Sequence, residues 1–548
     1  MTLELENSMS PQFIAFQLLL ALKKSSYNGI SCYGLNFLTD QSGEVDENNN
    51  DPSEESPLAY IHHLKVLIHS RPWLRLEFHR CIGVESLLWL PAQTDTDGDE
   101  AGAGTGSTTT AVANTTEVDF LLLKISRSLA HNVDSYDAKR HRNFFADLWD
   151  HWKVRKLSLS VDFCPDWTRE FCHRRISFLE GLEFLPECTW HTRRSTPAEE
   201  ATGYGDGDDG GEQNDGTNEN GTPEAIDCWQ VFCRALRNNH PHLRSLEVRF
   251  KISDPELAYL IDHAIAPAVD AGDDPSPAGS SAFLPIEKLY FGKWCSCGDQ
   301  SLLALSHALE SPSGRGWRSL TASRGTKLPS RAALEAVYRP RRHPDDDRRG
   351  LPAFCRALSH ATALYHLELG DYVLDEDALG AIFRSLVSAS APIERISLFH
   401  CVTTSPDVFD RVLSGSSSRS SSSSNGTDSE HDRNGPSAVS CLIENRLPSL
   451  RMLYLSKGAD KALCKVLKSN TSITSISNHR RTKTHEYYLD LNRGGRRILT
   501  APSSVLSPSL WPRILERAGS RDDRYCGGTN RTHDVVHYLL RNRILLEL

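Results

Sequence analysis

The segment Phe232-Cys-Arg-Ala-Leu236 occurs a second time, letter for letter, as Phe354-Cys-Arg-Ala-Leu358. After a short polar turn, each copy is followed by the same apolar pattern, Leu243-Arg-Ser-Leu246-Glu-Val248 in the first and Leu364-Tyr-His-Leu367-Glu-Leu369 in the second. Alternation of apolar and polar residues at the end of each copy is typical of a half-buried β-strand. The duplication therefore predicts an internal repeat whose unit contains such a strand.

The same LxxLxL pattern recurs through the middle of the chain. Further copies are Val154/Leu157/Leu159, Ile286/Leu289/Phe291, Ile393/Ile396/Leu398 and Leu450/Leu453/Leu455, and weaker ones are Trp317/Leu320 and Ile473/Ile476. The middle apolar residue marks the spacing, because Leu289 and Leu320 are 31 residues apart and Leu367 and Ile396 are 29 residues apart. Units of this length that cannot bury their own apolar face are expected to stack into a solenoid.

A helical pattern follows the predicted strands. Leu379, Ile382, Phe383 and Leu386 repeat at intervals of three and four residues, and Leu302, Leu305 and Leu309 do the same. One apolar stripe on each helix would pack against the strand layer. We therefore predict an α/β fold in which each unit contributes one strand of a parallel sheet and one helix.

These residues resemble the leucine-rich-repeat superfamily in its long-repeat, ribonuclease-inhibitor-like form. The resemblance covers about residues 150–480 well and 57–90 poorly. It implies a solenoid with parallel strands on a concave face, helices outside, and partners bound on the concave face. It also implies that Cys401 stands where the family usually has asparagine after the last leucine.

The chain is predicted to have three regions. Residues 1–150 form an N-terminal helical and degenerate repeat region, 151–484 the repeat array, and 485–548 a C-terminal cap. The end of the chain resembles the tail of uncharacterised protist leucine-rich-repeat proteins, in which an LNxxGR segment, here Leu491–Arg496, precedes a Trp-Pro helix. A cap is expected because the last unit of a stack leaves an open sheet edge and exposed core.

The net charge of −10 conceals a basic body with acidic insertions. Residues 40–56, 92–118, 195–226 and 270–282 carry 24 acids and no Lys or Arg, so the rest of the chain carries a net +14. With 339–350 and the serine-rich 414–440, these segments lack apolar residues to offset the entropy of ordering, so we predict disordered insertions. The serine-rich insertion contains two candidate phosphorylation sites, Thr427 and Ser429, each with an acid three residues later.

Several classes of protein are excluded by composition and motif. The longest early apolar run, 13–22, is too short to cross a bilayer, and Glu4 and Glu6 precede it where a secretory signal has basic residues. The 14 cysteines show no regular spacing, and Cys295-Ser-Cys297 has no second pair to complete a zinc site. We therefore expect a monomer in the cytoplasm or nucleus, with no membrane association.

The motifs of catalysis and cofactor binding are incomplete. Gly205-Asp-Gly207-Asp-Asp-Gly210 matches GxGxxG but follows no predicted strand and would repel a pyrophosphate through its aspartates. His533-Asp-Val-Val-His537 places two imidazoles on one helical face but lacks the glutamate of the HExxH zinc motif. We predict no catalytic, cofactor or metal site, and the chain is predicted not to be an enzyme.

A protein-binding surface remains. In a strand with buried LxxLxL residues, the intervening side chains point to the other face. Within the array these positions include six residues of types suited to anchor an interface, namely Lys288, Tyr290, Arg249, Arg395, Phe399 and Tyr454. Glu247, His366, Glu368 and Met452 share the same predicted face.

The favoured function is a non-enzymatic scaffold that binds a protein partner on this face. The first alternative is a regulator of an enzyme, either a ubiquitin-ligase substrate adaptor or a GTPase regulator, as similar arrays are. The second alternative, which we favour less, is a nucleic-acid-binding protein that uses the basic body. The sequence contains no recognisable F-box or activator motif that would favour the first alternative.

Overall fold

The middle apolar residues of the repeats form a ladder across parallel strands. The aligned partners run from Leu246 through Leu289, Leu320, Leu367, Ile396 and Leu453 to Ile476. Every one of them is fully buried. The predicted α/β class and the parallel arrangement of the strands are therefore confirmed, and so are both weaker copies, at Leu320 and Ile476.

The computed structural model describes residues 1–24, 26–37, 58–71, 73–81, 84–87, 116–124, 144–163, 168, 171–172, 176, 178–190, 228–266, 284–325, 349–403, 408, 412, 442, 446–455, 459–477, 482–493, 496 and 537. Its contacts divide the chain into two compact units, Met1–Leu243 and Arg244–Leu548. This division differs from the predicted regions 1–150, 151–484 and 485–548.

The first unit contains a parallel sheet. Its strands, in spatial order, are β1 (Thr2–Glu6), β2 (Gly29–Tyr33), β3 (Leu74–His79), β4 (Thr116–Lys124), β5 (Trp152–Ser160) and β7 (Gly181–Phe184). A separate short pair joins β6 (Asp162–Phe163) to β8 (Thr189–Trp190). The N-terminal region is thus more regular than its sequence pattern indicates, since four of these strands lie before residue 125.

The second unit continues the repeat pattern. Its strands, in spatial order, are β9 (Ser245–Val248), β10 (Lys288–Phe291), β11 (Ser319–Ser323), β12 (His366–Gly370), β14 (Arg395–Phe399), β16 (Met452–Tyr454) and β17 (Ser475–Ser477). A short second pair joins β13 (Val373–Leu374) to β15 (Val402–Thr403). Strand order therefore follows chain order, as expected when each unit adds one strand beside the last.

Helices alternate with the strands in both units. The first unit contains α1 (Pro11–Lys23), α2 (Leu58–Ser70), α3 (Phe144–His151) and α4 (Cys228–Asn239). The second contains α5 (Asp254–Leu260), extended by a π-helical turn Ile261–Ile265, then α6 (Asp299–Glu310), α7 (Pro312–Arg315), α8 (Gly350–Ala357), α9 (Glu376–Ser388), α10 (Asp460–Ser469) and α11 (Lys483–Arg493). Two 3-10 turns are Val84–Leu87 and Leu358–His360. The predicted stripes on α6 and α9 are buried, and α5, α6, α8 and α9 pack in sequence.

Buried cysteines connect strand ends to the preceding strand. The Cys401 thiol donates to the carbonyl of Leu369 (3.3 Å), and Cys295 donates to Val248 (3.1 Å). Cys188 reaches the carbonyl of Leu159 in the same way (3.0 Å). Thiols are weak donors, so each contact adds little energy. The carbonyls of Val248 and Leu159 also accept from the backbone N–H groups of Gly292 (2.9 Å) and Leu185 (2.8 Å), so there the thiol is a second donor.

Within the second unit, the carboxylate of Asp254 connects two consecutive repeats. Its oxygens accept hydrogen bonds from the backbone N–H groups of Gly298 (2.8 Å), Gln300 (3.0 Å) and Ser301 (2.9 Å), and from the Ser301 hydroxyl. These N–H groups lie at the start of α6, where a helix has donors without intrahelical partners. One residue of α5 therefore caps α6, the helix of the next repeat.

Helix α11 closes the last described turn of the second unit. The Asn492 amide donates to the carbonyls of Asn470 (2.9 Å) and Ile473 (2.8 Å). Arg493 donates to Thr474 (2.7 Å), and Arg496 donates to Leu467 (2.9 Å). The asparagine of the LNxxGR segment thus binds carbonyls just before β17, the last strand in the order of this sheet, and its arginine binds a carbonyl in the last turn of α10.

Two predicted insertions are too long, because each includes residues of a described strand or helix. The insertion 92–118 includes the start of β4, where Thr116 is buried and Glu117 lies 3.8 Å from Lys153 on β5. The insertion 339–350 includes Gly350, the first residue of α8. Burial and neighbouring strands order these ends despite their polar composition. The insertions 40–56, 195–226, 270–282 and 414–440, and nearly all of the tail beyond residue 493, lie outside the described residues.

Candidate interaction surface

The outward strand face of the second unit consists of the side chains between the buried ladder residues. The register aligns Lys288, Ser319, His366, Arg395 and Met452 in one row across the strands. It aligns Glu247, Tyr290, Thr321, Glu368, Ser397 and Tyr454 in the next row. The structure therefore brings these predicted residues onto one face of one sheet.

Glu247 forms the most heavily paired charge of the outward strand face. One carboxylate oxygen binds the Lys288 ammonium from the neighbouring strand, and the other accepts from Arg249 (2.7 Å) on its own strand. Burial by itself would raise the pKa of Glu247, but the hydrogen bonds and charges of Lys288 and Arg249 lower that pKa overall. Glu247 is thus held as a carboxylate, and it neutralises part of the charge of two predicted anchors.

Two arginine–tyrosine stacks stand on the same face. The Arg249 guanidinium lies 4.8 Å from the ring centre of Tyr290, and the Arg395 guanidinium lies 5.0 Å from that of Tyr454. Such contacts are electrostatic attractions between a cation and the face of a ring. They restrict the orientations of the two long arginine side chains.

Small side chains separate the two stacks. The residues of β11 in this position are Ser319, Thr321 and Ser323, and Ser397 occupies the second row on β14. Thr321, Ser323 and Ser397 are buried despite their polarity. The face therefore carries tyrosines on β10 and β16, and between them lie the small side chains of β11 and Ser397 together with His366 and Glu368 of β12.

Phe399 differs from the other predicted anchors. Its ring lies across Gly370 of the neighbouring strand, where any side chain at residue 370 would collide with it. It also contacts His400 edge to face, with ring centres 5.5 Å apart. Phe399 remains half-buried on the outward side of β14, but part of its surface is already used to cover a glycine.

The first unit carries a comparable cluster that the sequence analysis did not identify. Glu77 binds Arg75 (2.6 Å), accepts from Ser31 (3.0 Å) and lies 3.4 Å from His79. Arg75 lies 4.2 Å from the ring centre of Phe120, on the neighbouring strand. The alternation Leu74-Arg-Leu-Glu-Phe78 is the signal in the sequence that could have located it.

Few side chains among the described residues are suited to nucleophilic catalysis or to metal binding. Burial raises the pKa of the Cys297 thiol to about 12, and the pKa of Cys401 to about 12, so both thiols stay protonated at neutral pH. Within the described ranges, no group of three His, Cys, Asp or Glu side chains could hold a metal ion. Thr427, Ser429 and His533 lie outside the described residues.

Among the helices that the structure describes, none is long and apolar enough to cross a membrane. No family model matches the chain, and no curated protein matches it.

The Glu247 cluster should give a measurable dependence of stability on pH. At pH 7 Glu247→Gln should lower the free energy of unfolding by about 1 kcal/mol, because Lys288 and Arg249 lose the charge of a largely buried acceptor. A carboxylate whose pKa is lowered by folding stabilises the fold fully above the unfolded pKa and loses that effect as pH falls through the folded pKa. The difference in the free energy of unfolding between the variant and wild type should therefore shrink as the pH falls below 4.5, the ordinary pKa of a glutamate.

Urea unfolding at a series of pH values measures this difference. Glu394→Gln, at an exposed position with the same substitution, is the matched control and should change stability by less than about 0.5 kcal/mol. A penalty for Glu247→Gln that stayed constant down to pH 3 would contradict a stabilising role for the carboxylate charge.

Proposed function

We propose that the chain is a leucine-rich-repeat protein of the long, ribonuclease-inhibitor-like type, with the outward strand face on the concave side of a solenoid. Support comes from the intervals of 31 residues between Leu289 and Leu320 and of 29 residues between Leu367 and Ile396, and from the alternation of parallel strands with packed helices. Further support comes from Cys401, which donates to the Leu369 carbonyl from the position where the resemblance implies an asparagine.

On this fold we propose a non-enzymatic scaffold that binds a protein partner on the outward strand face. The observation that carries the proposal is the alignment of Tyr290 and Tyr454 in one row, each stacked with an arginine. Tyrosine and arginine are the residue types that most often supply binding energy at protein interfaces. Lys288 and Met452, exposed beside them, would form the polar and apolar surroundings of these anchors.

We infer further properties of this binding protein from its composition and its buried cysteines. The binding protein acts as a monomer in the cytoplasm or nucleus, without a cofactor and without a nucleic-acid partner. Buried and protonated thiols, with pKa values raised by burial, favour a structural role for the cysteines. Enzyme regulation is compatible with such a scaffold, since an adaptor is also a binding protein, and the identity of the partner would distinguish the two.

The two tyrosines provide the test. Tyr290→Ala combined with Tyr454→Ala should weaken partner binding by about thirtyfold or more, because truncation of one aromatic anchor typically costs about 2 kcal/mol. Partners are isolated with the full chain as bait, identified by mass spectrometry, and titrated against each variant. The melting temperature should change little, since both side chains are partly exposed.

Tyr365→Ala is the matched control. Tyr365 is 44% exposed and precedes β12, outside the two rows of the outward strand face. Its truncation should leave the affinity within twofold of wild type. Unchanged binding by the double variant, with the fold intact, would move the binding site to another surface and refute this proposal.

A further inference from the structure

Three cations and an exposed tryptophan gather where β9, β10 and β11 end. We call Lys251, Lys293, Trp294 and Arg324 the basic edge. All four are exposed, and the Trp294 side chain retains 48% of its accessible surface. None of them belongs to the rows of the outward strand face, because each lies in the turn after a strand.

Backbone contacts hold the basic edge together. A parallel bridge between Ile252 and Cys295 places Lys251 beside Trp294, since each immediately precedes a bridge residue. The Lys293 ammonium lies 5.1 Å from the ring centre of Trp294. These contacts join the turn after β9 to the turn after β10.

Arg324 is brought to the same place by the turn after β11. The carbonyl of Ser323, just before it, accepts from the Cys297 backbone N–H (3.2 Å). Gly325, just after it, has a left-handed φ of 67° and lies so close to the Cys295 carbonyl that a Cβ atom would collide with it. Only glycine fits this approach, so the sequence fixes Arg324 against the turn that carries Lys293 and Trp294.

The charge of the basic edge is not neutralised within the described part of the chain, where none of its three cations forms an ion pair. The neighbouring acids are already engaged. Glu247 binds Lys288 and Arg249, and Asp371 accepts from the Ser323 hydroxyl (2.9 Å). Unpaired cations around an exposed indole form a surface of positive potential that complements a negatively charged ligand.

We propose that the basic edge binds a short acidic peptide segment of a protein partner. Carboxylates of the segment would pair with Lys251, Lys293 and Arg324, and an apolar side chain would cover Trp294. A nucleic acid fits less well, because three cations beside one indole would neutralise only a few phosphates of a continuous backbone. The proposal goes beyond the function assigned above, since it uses none of the residues of the outward strand face.

The test measures the fluorescence anisotropy of a labelled probe titrated with the full chain at low and physiological salt. The probe is an eight-residue peptide of glutamates with one central phenylalanine, and an oligothymidylate of eight nucleotides is the comparison. Combining Lys251→Glu, Lys293→Glu and Arg324→Glu should weaken peptide binding about tenfold or more, since each exposed charge pair contributes modestly and the three act together. Trp294→Ala should weaken it by a further factor of about ten.

Matched controls separate position from total charge. Arg356→Glu, Lys461→Glu and Lys468→Glu reverse three exposed cations on α8 and α10, and this variant should bind the peptide within about threefold of wild type. The combination Tyr290→Ala and Tyr454→Ala should also leave peptide binding intact, so failure of the scaffold proposal and failure of this one are distinguishable. Absent peptide binding, equal binding by the edge and control variants, or tighter binding of the oligothymidylate would each overturn the inference.

Discussion

Leu367→Asp should unfold the second unit as a whole. Leu367 is fully buried, and it is the aligned partner of Leu320 on one side and Ile396 on the other. A carboxylate there would have no partner in an apolar layer and would either remain charged at high cost or take up a proton. We expect a loss of about 4 kcal/mol or more, which is a large share of the stability of a typical domain.

Circular dichroism during urea titration measures this loss. Tyr365→Asp introduces the same charge two residues earlier, at an exposed position, and should change the free energy of unfolding by less than about 0.5 kcal/mol. Each repeat of an array is stabilised by its neighbours. The circular dichroism signal without urea should therefore fall by more than the contribution of the single repeat that contains Leu367. A Leu367→Asp protein with a wild-type transition would show that the ladder does not hold the unit together.

The ladder could be predicted from the sequence because the LxxLxL pattern marks each strand by itself. A strand with alternating residues buries one set, and recurrence of the same pattern predicts that equivalent residues align in a parallel sheet. This reasoning located β5 and every strand from β9 to β17 in the main sheet of the second unit. It did not locate β1 to β4, because the full LxxLxL pattern is missing there and Leu74-Arg-Leu-Glu-Phe78 contains only five alternating residues.

The sequence pattern predicts which residues belong to the candidate site, but it does not predict the contacts between their side chains. Alternation places Tyr290 and Tyr454 on the outward side, and both directly follow the middle residue of the pattern, yet their contacts with Arg249 and Arg395 do not follow from it. The pairing of Lys288 with Glu247 joins side chains 41 residues apart. The basic edge was missed for a related reason, since its turns have no periodicity and Arg324 is positioned by the conformation of Gly325.

The predicted cap acquires a physical basis in α11. The helix lies against α10, and His485 on its first turn contacts the carbonyl of Asp460 (2.9 Å). Asn492 is buried and donates both amide hydrogens to backbone carbonyls. These carbonyls belong to the turn before β17, the last strand among the described residues, so the position of α11 is compatible with the predicted cap.

Removal of residues 485–548 should therefore cause aggregation and a broad, poorly cooperative transition, because the apolar residues of α10 and β17 lose their cover. The point variant Asn492→Ala should lower the free energy of unfolding by about 2 kcal/mol, since two buried carbonyls lose their donor. Thr484→Ala, exposed on the same helix, is the control and should be close to neutral. Analytical ultracentrifugation and thermal melts measure both effects. A truncated chain that remained monomeric with an unchanged melt would identify the tail as a separate module and rule out its role as a cap.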